Sequence, residues 1–318
     1  MTTHLGFFLD SHLNFRKHIE EKANIANKGL GWIRILRFLS RYVDRRVLDH
    51  VYKMYIRPHL DYGDVIYHNQ VKDSMDILEA IQYKAALIVS GCWKGTNRTK
   101  LYAELGWESL SDRRHIRRLM LYYRINADLT PSYLKNCVDH FPQASTLRFK
   151  NSFYPYCKTH WDLLSADIRS LPSFGMFKSN LIKSVRPPAS SNFGVTDIFG
   201  LKLLTQLRVD LNDLRVHRFR HGFRNCPSAL CACGTADEST SHFLHQCPRF
   251  SSQRADFYSK IRSLDSGSSF FSLSLDDFTS ALLYGMKKLT VSDNKHILES
   301  TIDFIRKSKR FSKLEAFT

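Results

Sequence analysis

Four potential metal ligands lie close together near the carboxy-terminal end of the sequence. Residues 226–247 read CPSALCACGTADESTSHFLHQC and contain four of the seven cysteines. Thiolate sulfur and imidazole nitrogen are ligands that Zn²⁺ prefers, and four of them at short spacing suit a tetrahedral site. A set of four protein ligands leaves no open position, so we predict one zinc ion with a structural role. The predicted ligands are Cys231, Cys233, His242 and Cys247.

The spacing leaves alternatives within this cluster. A single residue separates Cys231 from Cys233, whereas about two to four residues are usual. Cys226 could therefore replace either of them, and His245 could replace His242. The simpler interpretation is that these are reduced thiols packed in a small core.

Basic residues are in large excess. The chain has 47 Lys and Arg against 30 Asp and Glu, a net charge of +17, which favours a polyanionic partner such as RNA or DNA. Two groups of arginines are candidates for phosphate contacts, although any one of them is explained as well by a solvated helix face. The candidates are Arg34, Arg37, Arg41, Arg45, Arg46, Arg208, Arg215, Arg218, Arg220 and Arg224. Phe219 and Phe223 lie within the second group and either stack on unpaired bases or belong to the core of the cysteine cluster.

Hydrophobic periodicity predicts a mainly helical chain. Residues 4–10 are apolar and predict a short strand, and the helical period begins at Arg16. Asp44 can cap a second helix, which is predicted to end before Pro58 and to bury Val47, Val51 and Tyr55. A third helix is predicted near residues 74–90. A fourth, starting near Ser111, has an apolar face of Ile116, Leu119 and Tyr123 with arginines on its wetter sides. We divide the chain into residues 1–125, a connecting region 126–200, and residues 201–318 with the cysteine cluster.

Several classes of protein are disfavoured. No stretch of 18 apolar residues occurs, so we expect no membrane span. The first residues lack the features of a signal peptide, and the cysteines are odd in number and clustered, which argues for metal rather than disulfides. We expect an intracellular protein, cytoplasmic or nuclear, and see no site for a small-molecule substrate.

Several segments resemble jockey-like non-LTR retrotransposon reverse transcriptases. The segment LLTQLRVDLNDLRVHRFRHGFRNCPSALCACGTADESTSHFLHQCPRF is similar to the family's zinc knuckle, whose pattern Cys231, Cys233, His242 and Cys247 fit without a gap. HLGFFLDSHLNFRKHIEEKANIANKGLGWIRIL resembles the family's primer-grip strand running into its helical thumb. THWDLLSADIRSLPSFGMFKSNLIKS resembles the family's connecting region, and the order of these segments is the family's order.

The resemblance implies a helical, thumb-like bundle with a short amino-terminal strand and a zinc knuckle, which together hold RNA template and DNA primer. The family's catalytic aspartates lie upstream of the primer-grip strand. We find no counterpart here, because Asp276 and Asp277, the only adjacent pair, are better explained as first-turn acids of a helix. We therefore expect no catalytic residues and no polymerase activity from this chain alone. The competing hypothesis is a zinc-stabilised structural or protein-interaction module without a nucleic-acid role.

Overall fold

A short hairpin and many helices form the described part of the chain. In the computed structural model of the protein, the described residues are 2–9, 11, 15–38, 43–67, 72–138, 146–186, 189–264 and 270–311. They divide into two compact units that are interleaved along the sequence. The first contains Met1–Arg34, Asp49–Ala86 and Gly106–Pro188, and the second contains Ile35–Leu48, Leu87–Leu105 and Ala189–Thr318. The predicted domain boundaries stay a prediction.

The helical elements cover both units. The strands are β1 (Thr2–His4) and β2 (Phe7–Leu9). The α-helices are α1 (Arg16–Phe38), α2 (Arg45–Val51), α3 (Arg57–Asp61), α4 (Asp64–Tyr67), α5 (Lys72–Ser90), α6 (Arg98–Leu105), α7 (Leu110–Asn126), α8 (Ser132–Asn136), α9 (Leu147–Lys150), α10 (Phe153–Asp162), α11 (Ala166–Arg169), α12 (Phe174–Val185), α13 (Ile198–Arg208), α14 (Arg215–Arg220), α15 (Ser251–Arg262), α16 (Leu275–Tyr284) and α17 (Val291–Lys307). Two π-helical turns, Tyr52–Ile56 and His242–Gln246, and one 3₁₀ turn, Pro248–Phe250, complete the described elements. The predicted mainly helical fold is confirmed.

The amino-terminal segment forms two strands where one was predicted. β1 pairs antiparallel with β2, with Thr2 opposite Leu9 and His4 opposite Phe7. Leu5 and Gly6 between them both have positive φ, 47° and 76°. Two successive left-handed residues make the tight turn that matches the twist of a hairpin.

In the first unit, α7 packs against α10 and α12. Ser109 caps α7, since its hydroxyl accepts a hydrogen bond from the Asp112 N–H at 3.0 Å. The predicted apolar face of Ile116, Leu119 and Tyr123 is buried, and the ring of Tyr123 stacks on that of Phe177 at 4.5 Å.

The arginines of α7 differ from the prediction. Arg114 and Arg118 are buried, with 3% and 1% of their surface exposed. The guanidinium of Arg118 donates to the carbonyl of Asn151 and lies 4.4 Å over the ring of Tyr156. Carbonyl and aromatic partners allow this cation to be buried, which helical periodicity alone does not show.

The prediction of which residues the second helix buries was wrong. Val47 and Tyr55 are exposed, whereas Leu48 and Tyr52 are buried. The π-helical turn Tyr52–Ile56 follows α2 directly, and the helical path continues through Pro58, which lies in the first turn of α3. Proline is tolerated in a first turn because its missing N–H has no helical partner there.

In the second unit, α17 packs against α13, α15 and α16. The core beneath these helices includes Leu204, Phe243, Phe257 and Ile297. Gly200 of α13 permits the close approach of α17, because a Cβ at this position would lie 2.2 Å from Cγ2 of Ile302.

The adjacent aspartates have the structural role that was predicted for them. Asp276 and Asp277 lie in the first turn of α16, where Ser274 is the cap and accepts a hydrogen bond from the Asp277 N–H at 3.2 Å.

Candidate functional site

The four predicted ligands converge on one point. The sulfur atoms of Cys231, Cys233 and Cys247 and a ring nitrogen of His242 all lie within 4.8 Å of one another. The Cys231 and Cys247 sulfurs are 3.7 Å apart, and the Cys233 sulfur is 3.3 Å from Nε2 of His242. Tetrahedral zinc, with bonds of about 2.3 Å to sulfur and about 2.0 Å to nitrogen, sets the corresponding separations at about 3.8 Å and about 3.5 Å. These four side chains could hold one metal ion.

A tight turn positions the first two ligands. The Cys231 N–H donates to the Ala236 carbonyl at 2.8 Å, and the Glu238 N–H donates to the Ala229 carbonyl at 2.9 Å. Gly234 closes the tip by donating to the Cys231 carbonyl, with a φ of +78° that a glycine adopts without strain. Cys231 and Cys233 therefore point from one short hairpin-like loop.

A π-helical turn positions the other two. The Cys247 N–H bonds to the carbonyl of His242, five residues earlier, at 2.8 Å. This wider turn brings His242, at its start, and Cys247, directly after its end, to the cluster. Single π turns inside helices are frequent at functional sites.

The cysteines of the cluster differ in acidity. Burial raises the pKa of Cys231 to about 12, whereas hydrogen bonding from Thr235 lowers the pKa of Cys233 to about 6. The thiolate is the form that binds metal, so a cation that binds the cluster must displace the proton of Cys231.

Arg254 binds the backbone at Cys247, the last of the four predicted ligands. This residue is only 8% exposed. Its guanidinium donates to the carbonyl of Cys247 at 2.7 Å and to that of Leu244 at 2.9 Å. Arg254, which lies on α15, thus binds the end of the π-helical turn, and its positive charge lies beside a cluster of thiols.

The structure decides between the alternative ligands. The Cys226 sulfur faces the carbonyls of Arg215 and Ser228, at 3.6 and 3.4 Å. Both ring nitrogens of His245 are engaged, Nδ1 with the Tyr258 hydroxyl at 2.7 Å and Nε2 with the Thr279 hydroxyl at 2.9 Å. Neither Cys226 nor His245 belongs to the metal-binding group.

Two of the predicted arginines have structural roles. The side chain of Arg208 is fully buried, and it bonds to Glu104 at 3.0 Å and to the Leu283 carbonyl at 2.6 Å. Arg45 binds the same carboxylate at 2.8 Å. Arg208 has no face open to solvent, so we remove it from the predicted phosphate contacts.

Arg215 and Arg218 are also engaged locally. The Arg215 guanidinium donates to the Ser228 carbonyl at 3.2 Å. Arg218 donates to the Asn225 side chain at 2.6 Å and pairs with Asp213 at 3.4 Å. These two arginines hold α14 against the loop that follows it.

Of the remaining predicted arginines, four are exposed and two lie wholly or partly outside the described residues. Arg34, Arg46, Arg220 and Arg224 are exposed, with Arg34 in the first unit and the other three in the second. Arg41 and the side chain of Arg37 lie outside the described residues.

Seven consecutive residues, from the last two of α14 towards the cluster, are exposed. We call residues 219–225 the exposed segment; it reads FRHGFRN. Phe219 is 51% exposed and Phe223 is 44% exposed, so neither is a core residue of the cysteine cluster. The Gly222 N–H donates to the Phe219 carbonyl and the Cys226 N–H to the Phe223 carbonyl, which keeps the segment in a compact turn. The sequence shows these aromatic and basic residues, but only the structure shows that they share solvent exposure.

Comparisons with known proteins give one similarity of modest strength. A Caenorhabditis elegans protein, described as uncharacterized protein B0403.1, is 28% identical over 157 residues, which cover 48% of this chain and 73% of the C. elegans protein. No family model matches the chain, and no solved structure matches it. Within the part of the chain that the structure describes, no helix has both the length and the apolar character needed to cross a membrane.

Proposed function

We propose that this chain is the part of a non-LTR retrotransposon reverse transcriptase that holds nucleic acid, with a zinc-stabilised knuckle that presents the exposed segment to unpaired RNA or DNA. The order of the segments that resemble jockey-like enzymes supports this origin. The net charge of +17 supports a polyanionic partner.

The exposed segment is the observation that carries the proposal. Phe219 and Phe223 leave about half of their surface in water, which is costly for aromatic rings unless a partner covers them. Arg220 and Arg224 are exposed next to them, and among the described residues neither forms an ion pair. Aromatic rings that stack on bases, flanked by guanidinium groups that bind phosphate, are the usual means of holding single strands.

Zinc is the metal that suits the cluster best. Three sulfurs and one imidazole nitrogen form a closed set of soft and borderline ligands, which is typical of structural zinc. Cys231, Cys233, His242 and Cys247 would hold the ion, which would cross-link the loop to the π-helical turn. With three thiolates the site would carry a net charge of −1, which the guanidinium of Arg254 offsets.

A salt titration tests the proposal. The probe is a fluorescent single-stranded RNA, and anisotropy gives its affinity for the zinc-loaded protein. We expect Arg220→Ala/Arg224→Ala to flatten the salt dependence by ~1.4 in log–log slope, from about 0.7 per lost phosphate contact. Phe219→Ala/Phe223→Ala should leave the slope unchanged but lower the affinity by about 1–3 kcal/mol for each stacked base.

The matched control removes the same charge elsewhere. Lys287 and Lys288 are exposed in the second unit, just after α16, and Lys287→Ala/Lys288→Ala should change the affinity less than the Arg220 and Arg224 double variant does. Equal effects of the two double variants would mean that only net charge matters. Absence of RNA binding by the unaltered protein would favour the structural or protein-interaction module instead.

A further inference from the structure

A buried carboxylate joins three segments around the cluster. Glu238 lies in the hairpin-like loop that carries Cys231 and Cys233, and its side chain is 2% exposed. Arg310, after the end of α17, donates to both carboxylate oxygens of Glu238, at 2.7 and 2.6 Å. The backbone N–H of Arg215 donates to the same carboxylate at 2.8 Å.

These bonds fix the start of α14. The Arg215 N–H is the first of that helix, and the Val216 N–H also points to Glu238, at 3.4 Å from its carbonyl oxygen. The first N–H groups of a helix have no helical partners, and Glu238 accepts hydrogen bonds from these two. Burial raises the pKa of Glu238, but the hydrogen bonds and charge of Arg310 outweigh it, so the net pKa lies below the usual range and the carboxylate stays charged.

The same network reaches the exposed segment from its other end. Arg310 donates to the Asp213 carbonyl at 2.8 Å, and Asp213 pairs with Arg218. Arg218 in turn binds Asn225, the last residue of the exposed segment. The exposed segment is therefore tied at its start through α14 to Glu238, and at its end through Arg218 and Asp213 to Arg310.

We propose that Glu238 is a positioning residue: with Arg310 it fixes the exposed segment relative to the metal cluster, so that RNA affinity depends on a buried carboxylate that never touches RNA. This inference rests on the proposed function. Nothing in the ligand pattern assigns a role to Glu238, because it is neither a ligand nor a surface residue.

The sign of the charge change separates positioning from simple electrostatics. Glu238→Gln removes one negative charge from a protein whose net charge is already +17. If charge alone governed RNA binding, this variant would bind more tightly. If Glu238 positions the exposed segment, the variant binds more weakly, because the partly buried Arg310 loses its ion pair with Glu238 and the Arg215 N–H, the first of α14, loses a charged acceptor.

A neighbouring acid provides the matched control. Asp237 is exposed, and Asp237→Asn makes the same charge change one residue away without touching α14. We expect Asp237→Asn to bind single-stranded RNA at least as tightly as the unaltered protein. Glu238→Gln should bind about tenfold more weakly, within the range typical of coupling between linked sites, while it still holds one zinc per chain.

Each outcome decides the question. Zinc content and the visible absorption of the Co²⁺-substituted protein show whether the cluster is intact. If Glu238→Gln keeps its metal and binds RNA as tightly as Asp237→Asn, the inference is wrong. If Glu238→Gln loses its metal, Arg310→Lys decides, since it keeps the charge but not the two-pronged contact. Weaker RNA binding by Arg310→Lys with zinc retained supports positioning, and unchanged binding overturns it.

Failure of the proposed function gives a different result. In that case the unaltered protein itself does not bind single-stranded RNA, and the inference falls with the proposal. A second outcome separates the two proposals. If the unaltered protein binds single-stranded RNA, and the Glu238 and Arg310 variants bind it as tightly as Asp237→Asn does, the proposed function stands and the positioning role alone is refuted.

Discussion

Replacement of Arg254 by methionine is expected to weaken both the second unit and its hold on metal. Methionine keeps much of the aliphatic volume but cannot donate hydrogen bonds to the carbonyls of Leu244 and Cys247, at 2.9 and 2.7 Å. A hydrogen bond from a charged group contributes about 1.5–3 kcal/mol, so losing two lowers the free energy of unfolding by ~3–6 kcal/mol. The third contact, 3.5 Å to the Phe243 carbonyl, is too long to add much.

The metal cluster should report this loss directly. Cys247 is a predicted ligand whose carbonyl Arg254 binds, so a looser carbonyl also means a less fixed sulfur. Denaturant unfolding followed by the visible absorption of the Co²⁺-substituted protein reports on this site alone. A chelator should remove zinc from Arg254→Met at a concentration at least about tenfold lower, since each ~1.4 kcal/mol is a factor of ten.

An exposed arginine nearby serves as the control. Arg249 lies two residues after Cys247 and is exposed, so Arg249→Met should stay within about 0.5 kcal/mol of the unaltered protein. If Arg254→Met and Arg249→Met unfold at the same denaturant concentration and release zinc equally, the hydrogen bonds of Arg254 do not support the cluster.

Two further predictions test the ligand assignment and a buried carboxyl group. Cys226→Ser should keep one metal per chain and an unchanged Co²⁺ spectrum, because the Cys226 sulfur faces carbonyls of Arg215 and Ser228; a spectrum showing one sulfur fewer would assign Cys226 to the metal. Burial raises the pKa of Asp64 from 3.8 to about 6, so the folded state binds the extra proton and stability falls as the pH rises through that window. Asp64→Asn should abolish this fall, and parallel stability curves for the two proteins in denaturant titrations between pH 4 and 7 would contradict the assignment.

Local spacing was enough to find the cluster, because its four ligands lie within 17 residues and zinc chemistry restricts their types. The apolar face of α7 was predictable for the same reason, since Ile116, Leu119 and Tyr123 repeat at helical intervals. Short-range patterns carry this information without knowledge of the tertiary fold.

Long-range partners explain what the sequence did not show. Arg208 is buried because Glu104, 104 residues earlier in the chain, accepts its hydrogen bond. Arg118 is buried because the Asn151 carbonyl and the Tyr156 ring receive it. Any arginine pattern is compatible with a solvated surface until such partners are known. The role of Glu238 was hidden likewise, because its main partner Arg310 lies 72 residues later.

The interleaving of the two units has a consequence for the order in which the chain is made. Residues 35–48 and 87–105 belong to the second unit, most of which is the segment from Ala189 onward. Apolar side chains in these early pieces, such as Leu48 and Leu101, are buried in the folded protein. During synthesis these pieces emerge before the segment from Ala189 onward, and apolar surface that is exposed at that stage slows folding and favours aggregation. Truncation after residue 188 would leave these pieces without most of the unit to which they belong, so fragments cut at a single point should be less soluble than the whole chain.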